Sequence, residues 1–202
     1  MKTIIGIDEA GRGPIAGPVA VGAFAFKIKN YELIIKNVKD KYKLPLRDSK
    51  KLSAKQREEW FAIINKWQKA GKCDYAVTLV SASDVDKIGI SKAIQSGLNK
   101  SLEKVKAKNT HQIFLDGGLK APKEFKNQKT VIKGDEKIPV ISLASICAKV
   151  VRDAHMTRLN NKYPFYSFNT HKGYGTKAHY KAIEKYGISK IHRKTFLKTL
   201  VK

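Results

Sequence analysis

Short apolar runs alternating with longer amphipathic stretches predict an α/β protein. Two observations carry that prediction. The short runs have strand length and close on acids or glycine, as in Ile4-Ile5-Gly6-Ile7 before Asp8-Glu9 and Gln112 to Leu115 before Asp116-Gly117-Gly118. The stretches between them repeat apolar residues at helical spacing. A chain of 202 residues that is 42% hydrophobic can bury one substantial core. No change in composition marks a boundary, so residues 1–202 are expected to form a single domain.

In chain order, Thr3 to Asp8 and Val19 to Phe26 read as neighbouring strands able to pair as a hairpin across the Gly17-Pro18 break. Leu44 to Leu52 is polar and contains a proline, as a loop would. Ser53-Ala54-Lys55-Gln56 has the order of a capping box and opens a helix to about Ala70, where Gly71 stops it. Tyr75 to Val80 reads as a strand. Ser91 to Lys106 reads as a helix with Ala93, Ile94, Leu98, Leu102 and Val105 on its apolar side. Strands at Gln112 to Leu115 and Thr130 to Lys133 follow. After Pro139 the run Val140 to Asp153 predicts a largely buried helix whose Ser142 and Ser145 serve close packing. Thr176 opens a last helix to about Tyr186, ended by Gly187.

Charge is the second strong signal. Lysine and arginine total 41 against 17 acids, a net charge of +24, which favours a polyanion such as nucleic acid as partner. Only six of the basic residues are arginine, and phosphate contacts by lysine carry no base sequence information. A membrane partner is disfavoured, because no stretch is long and apolar enough to span a bilayer and none joins dense basic charge to a wide apolar face. Met1-Lys2-Thr3 leads into a strand-like run and not a signal-peptide core, so a cytoplasmic location is expected. Cys73 and Cys147 match no zinc or close-pair pattern and are expected to be reduced.

The acids fall where chemistry is expected. Asp8 and Glu9, then Asp116, then Asp135 each follow an apolar run, and in open α/β sheets functional groups gather at the carboxyl ends of strands. Carboxylates suit hard divalent cations such as magnesium or manganese. The adjoining Gly11-Arg12-Gly13 turn can bring backbone N–H groups close to an anion. Each acid alone is as readily a turn or a helix cap; three in this placement point to one site. Lys149 on its apolar helix can reach a phosphate or a carboxylate. Asp153, about five turns from Asp135 on a continuous helix, ranks below it as a ligand.

Late in the chain, Tyr163 to Lys177 interleaves aromatic and basic residues. Tyr163, Phe165 and Phe168 are expected to fill space beneath the loop, while Tyr174, between Gly173 and Gly175, can present its ring to a sugar or base. His171, His179 and His192 lack zinc-ligand spacing. His192-Arg193-Lys194 reads as a phosphate contact or a charged surface turn.

Taken in order, Gly6-Ile7-Asp8-Glu9-Ala10-Gly11-Arg12-Gly13-Pro14, Asp48-Ser49-Lys50-Lys51-Leu52, Asp116-Gly117, Lys133-Gly134-Asp135, Ala144-Ser145-Ile146 to Arg152-Asp153, His171-Lys172-Gly173-Tyr174 and Ile191-His192-Arg193 resemble ribonuclease HII, the type 2 ribonuclease H, over nearly the whole chain. The resemblance implies a ribonuclease H-like fold: a mixed five-stranded sheet flanked by helices, with a small C-terminal helical part from about residue 160. It implies an endoribonuclease that hydrolyses the RNA strand of RNA/DNA hybrids and cuts at ribonucleotides embedded in duplex DNA, leaving 5′-phosphate and 3′-hydroxyl ends. Asp8, Glu9, Asp116 and Asp135 become the catalytic, metal-binding carboxylates, holding two Mg2+ or Mn2+ ions during catalysis. Gly11, Arg12 and Gly13 become the backbone reader of the ribose 2′-hydroxyl, the group that separates RNA from DNA. Tyr174 would stack on the next deoxyribose and Lys50 would contact a phosphate.

Two departures from the family pattern stand out. Ile90-Ser91-Lys92-Ala93-Ile94 replaces an asparagine-bearing segment of many relatives, so no substrate contact is carried over there. No sliding-clamp docking peptide is read in Thr195 to Lys202, and a monomer is expected. A non-catalytic basic nucleic-acid-binding protein would explain the charge but leave the acids idle, and they would repel phosphate. A type 3 ribonuclease H would be expected to carry an extra N-terminal domain, and here the acidic motif starts at Gly6.

Overall fold

The computed structural model describes residues 3–27 and 31–197. Strands β1 (Ile4–Ala10) and β2 (Val19–Phe26) form the expected antiparallel hairpin, with Ile4 opposite Phe26 and Ala10 opposite Ala20. Helix α1 (Tyr31–Tyr42) follows, then α2 (Ala54–Lys69), β3 (Cys73–Val80), α3 (Ala82–Ile88), α4 (Ile90–Lys104), β4 (Gln112–Asp116) and β5 (Gln128–Val131). The chain continues through α5 (Gly134–Lys137), the long α6 (Pro139–Lys162), α7 (Phe168–His171) and α8 (Lys177–Tyr186). The sheet order is β3-β2-β1-β4-β5, with β2 antiparallel to both its neighbours and β1, β4 and β5 parallel. Strand β1 therefore lies where antiparallel pairing gives way to parallel pairing, and its carboxyl end adjoins that of β4.

Helices cover both faces. On one, Val85 of α3 and Ile94, Leu98 and Leu102 of α4 pack against Ile5, Ile7, Val21 and Ile113. On the other, Trp60, Ile64 and Trp67 of α2 and Leu143, Ala144 and Cys147 of α6 pack against Phe24 and Phe26. Helix α6 lies so close that a β-carbon on Gly6 would fall 2.1 Å from the Val140 carbonyl oxygen and one on Gly22 would fall 2.5 Å from that of Ala144. A third cluster joins Ile15, Ala16, Met156, Tyr166, Phe168, Ile183 and Leu197, seating the C-terminal helical part on the loop after β1.

The capping box at Ser53 and Gln56 forms as expected. Other expectations shift. Strand β1 runs on through Ala10, two residues past its expected end at Asp8, so Glu9 lies within it and not after it. Strand β5 sits two residues earlier than expected, because Lys133 turns into the left-handed region at φ 54° and breaks the extended run. Asp135 thus lies in its own helical turn, separate from α6, and α6 runs nine residues past Asp153. Helices α1 and α3 escaped the sequence reading: α1 buries Ile35 alone among its residues, and α3 is only 7 residues long. Within the expected loop Leu44 to Leu52, residues Ser49–Lys51 make a 3-10 turn capped by Asp48. Both cysteines are buried and free. Among the described residues no helix is long and apolar enough to cross a membrane.

Candidate active site

Parallel pairing of β1 with β4, Ile7 opposite Leu115, sets Asp8 and Asp116 at the same level of neighbouring strands. Helix α5 brings Asp135 to the same point. One carboxylate oxygen from each of Asp8, Asp116 and Asp135 lies within 4.8 Å of the others. Asp116 Oδ1 accepts the Gly134 N–H at 2.7 Å and the Asp135 N–H at 3.4 Å, so the β4 carboxylate itself fastens α5. Ser142 Oγ donates to the Asp135 carbonyl at 2.7 Å from the first turns of α6. Glu9 stands beside this trio and outside it, with Arg12 Nη1 donating to its Oε1 at 3.2 Å.

The trio is held against its own electrostatics. Burial and then the Glu9 charge push the Asp8 carboxyl well above the ordinary carboxylate range, with Asp116 adding to the effect. Burial, Asp116 and Asp48 lift Asp135 to about 6. Burial raises Glu9 too, against the opposing pull of Arg12. Carboxylates crowded like this want a cation. Burial draws the Lys50 ammonium down, but Asp48, Asp8 and Asp135 outweigh it and raise its pKa, which places that charge at the edge of the acids. The donor set, all hard oxygens gathered from two strands and a helical turn, fits a divalent ion of the magnesium or manganese kind.

Two residues here escaped the sequence reading. Asp48, nearly buried, adds its charge to those that raise Asp135 and caps the turn carrying Lys50, accepting the Lys50 N–H at 2.8 Å. Ser145 was expected only to allow packing; its hydroxyl meets Ser49 Oγ at 2.8 Å, tying the 49–51 turn to α6, and it works against the rise of the Asp8 carboxyl. The hydroxyls in an otherwise apolar helix were the available signal.

Beside the acids, the Gly11-Arg12-Gly13 loop is braced from below. Arg193, fully buried, donates through Nη2 to the Gly11 carbonyl at 2.7 Å, through Nη1 to that of Arg12 at 2.9 Å and through Nε to that of Gly17 at 3.0 Å. Arg152, also buried, donates to the carbonyls of Pro18, Lys172 and Ala16. The Ile15 and Ala16 amides donate to the Gly173 carbonyl at 2.9 and 3.2 Å, joining this loop to the one that carries Tyr174. Tyr174 is 40% exposed, with Lys149 Nζ 5.9 Å and the Arg152 guanidinium 6.0 Å from its ring centre.

Three expectations are corrected. His192-Arg193 is no surface turn: both residues are buried, because their polar atoms close the loops that precede them. Lys149 reaches Asp153, at 2.9 Å one turn along α6, and not an acid of the trio. Phe165 does not fill space below its loop; Tyr166 and Phe168 do, and Phe165 is 62% exposed. The three histidines do cluster, yet their ring nitrogens are already engaged. His192 Nδ1 accepts from the Ser189 N–H at 2.8 Å, so its Nε2–H donates to His179 Nε2 at 3.0 Å, and His179 Nδ1–H donates to the Tyr174 carbonyl at 2.8 Å. His171 Nε2–H donates to the Tyr166 carbonyl.

Hard oxygen donors converging at the carboxyl ends of the central parallel strands of such a sheet mark a metal-dependent nuclease with the ribonuclease H fold. The ribonuclease HII family model matches residues 5–199. A ribonuclease HII of Caldicellulosiruptor bescii is 42% identical over 200 residues, covering 99% of this chain and 89% of that protein. Among solved structures, the ribonuclease HII of Archaeoglobus fulgidus, in its complex with PCNA, superposes with a TM-score of 0.73 at 25% identity over 95% of this chain and 93% of that one. The ribonuclease H2 of Pyrococcus horikoshii gives 0.69 at 27% identity over 96% and 93%. The chain belongs to the ribonuclease HII family, and its activity is that of a ribonuclease H endonuclease.

Proposed function

We propose that this protein hydrolyses the RNA strand of RNA/DNA hybrids and also cuts at single ribonucleotides embedded in duplex DNA, leaving 5′-phosphate and 3′-hydroxyl ends. The observation that carries this reading is the convergence of Asp8, Asp116 and Asp135 within 4.8 Å beside an arginine-braced glycine loop. Asp8, Glu9, Asp116 and Asp135 hold divalent ions, Mg2+ or Mn2+, two during catalysis. Such ions supply a water of lowered pKa and stabilise the leaving oxygen of an in-line displacement.

The remaining residues bind and orient. Lys50 contacts a phosphate from the turn that Asp48 caps. The backbone of Gly11, Arg12 and Gly13 meets the ribose 2′-hydroxyl, and Arg193 keeps those peptide groups from collapsing inward. Tyr174 stacks on the following deoxyribose, its loop fastened by Arg152 through the Lys172 carbonyl. A site that hydrogen-bonds a hydroxyl rejects the analogue lacking it strongly, since its buried polar groups are then left unpaired. We further infer that the chain works as a monomer, as one catalytic domain with its C-terminal helical part, in the cytoplasm. The segment read for a clamp-docking peptide, Thr195 to Lys202, lies mostly outside the described residues.

The test compares a DNA duplex containing one ribonucleotide with an all-RNA strand paired to DNA, in Mg2+ and in Mn2+, with both product ends mapped. A cut that leaves the ribonucleotide at the 5′ end of the downstream fragment supports the junction-reading role of Gly11 to Gly13 and Tyr174. Cleavage of the hybrid with none at the single ribonucleotide contradicts it.

A further inference from the structure

We propose that Phe165 and Tyr186 form a second aromatic platform, away from the carboxylates, that engages the flank of the duplex substrate. The two rings stack with centroids 4.8 Å apart and planes 24° apart, yet both face solvent, Phe165 at 62% and Tyr186 at 44% exposure. Neither ring is needed to complete the core: Tyr166 and Phe168 already stack beneath them at 5.4 Å. The base of the platform is fixed, because the Tyr166 hydroxyl donates to the carbonyl of Gly187 at 2.8 Å and approaches that of Tyr186 at 3.4 Å. A stacked, exposed and firmly seated aromatic pair is a surface made to meet a flat or sugar-like partner.

Charge identifies the partner. Lys185 Nζ lies 5.1 Å from the Tyr186 ring centre, Lys162 and Lys190 flank the pair in sequence, and all three are exposed. From Arg158 to Lys194 there are nine lysines and arginines and one acid, Glu184. Such a field attracts a polyanion and repels a basic copy of the same chain. Two rings offer too narrow an apolar face for insertion into a bilayer. Lysines around exposed aromatics are the arrangement by which nucleic-acid backbones are tracked without reading sequence.

Position identifies the part of the nucleic acid. Helix α8 opens three residues after Tyr174 and ends on Tyr186. Its 10 residues span about 15 Å, a length of about four base pairs at about 3.4 Å per step. The inference rests on the proposed nuclease reading for Tyr174, and it adds a contact some base pairs from the scissile bond that aligns a long duplex in the site.

The test uses the whole chain and single-ribonucleotide duplexes in two series, with either the upstream or the downstream flank set at about two or about twelve base pairs. The variants are Phe165→Ala, Tyr186→Ala and their double, with Tyr186→Phe as a control that keeps the ring and thermal unfolding as the check on folding. In one series the double variant should raise KM for the long flank on the order of tenfold with kcat unchanged, leave the short flank untouched, and match wild type in Tyr186→Phe. Fluorescence anisotropy on all-DNA duplexes of the same lengths should show the same loss of length dependence. Equal KM changes on long and short flanks, or none, overturn the platform. Concentration-dependent sedimentation of wild type that the double variant abolishes overturns it too, in favour of a contact between copies. Failure of wild type to cut at the ribonucleotide would sink the junction-reading role of Tyr174 while leaving the anisotropy comparison to decide the platform.

Discussion

Arg152 runs directly beneath Gly11, so that a β-carbon on Gly11 would fall 1.9 Å from the arginine Nε. Arg152 cannot step aside, since that Nε donates to the Pro18 carbonyl at 2.9 Å and its Nη1 to that of Lys172 at 3.0 Å. Gly11 also sits at φ +84°, where a side chain adds about 1–2 kcal/mol of strain. Gly11→Ala should therefore lower stability by about 2 kcal/mol or more and reduce kcat/KM at single ribonucleotides more than on long hybrids. Thermal unfolding and parallel kinetics on the two substrates check this; equal losses on both would remove Gly11 from junction reading.

Arg193 is the other support. Its three donated bonds to the Gly11, Arg12 and Gly17 carbonyls hold the loop, and burial, with the Arg152 charge adding to it, depresses its pKa to about 10. Arg193→Gln leaves buried carbonyls without partners, which should lower stability on the order of 3 kcal/mol. The surviving folded enzyme should show a raised KM at a single ribonucleotide with an intact metal response. A variant that unfolds like wild type in a denaturant titration would contradict the bracing.

The acids give a pH-dependent metal effect. Asp135 titrates near 6 and Asp8 is raised well above the ordinary value, both chiefly through burial. A carboxyl with a raised folded-state pKa keeps its proton below that pKa, so metal-free stability declines as pH rises from about 4 through about 6. Added Mn2+ competes with those protons. Its stabilisation, about 2.7 kcal/mol at roughly a hundredfold excess over Kd, should be present above pH 6 and fade below it. Unfolding temperatures with and without Mn2+ at about pH 7.5 and pH 5 read this directly.

The histidine pair behind Tyr174 acts in the opposite sense. Burial lowers His179 and His192 to about 4 from 6.5. A depressed folded-state pKa contributes stability that is present above the unfolded value of about 6.5 and is lost as pH falls through about 4. The unfolding temperature should therefore drop over that window, and His192→Asn should make the drop shallower. An unchanged slope would mean that the Nε2 to Nε2 contact does not govern this titration.

The strands and the main helices were legible because their patterns are local. Val19 to Phe26 is apolar throughout, and the Ser53 capping box announces its helix. Asp8, Asp116 and Asp135 were visible as acids after apolar runs, but sequence spacing does not contain the parallel pairing of β1 with β4 that unites two of them. Arg152 and Arg193 were illegible as braces. A buried arginine looks like a surface cation in sequence, and apart from Lys172, 20 residues from Arg152, the carbonyl partners lie between 134 and 182 residues away along the chain. Phe165 was misread for the converse reason: an aromatic among aromatics suggests a core, and only packing separates Tyr166 beneath from Phe165 above.

The most direct measurement of the central claim is Mg2+- or Mn2+-dependent cleavage of a single-ribonucleotide duplex by Asp8→Asn and Asp116→Asn, with hybrid binding measured alongside. Each change removes one charge from the trio while keeping side-chain size. Both variants should bind hybrid as wild type does, and each should lose about a hundred- to a thousandfold in kcat, the scale seen when a group stabilising transition-state charge is removed. Unchanged turnover in both variants would contradict the assignment of catalysis to these carboxylates.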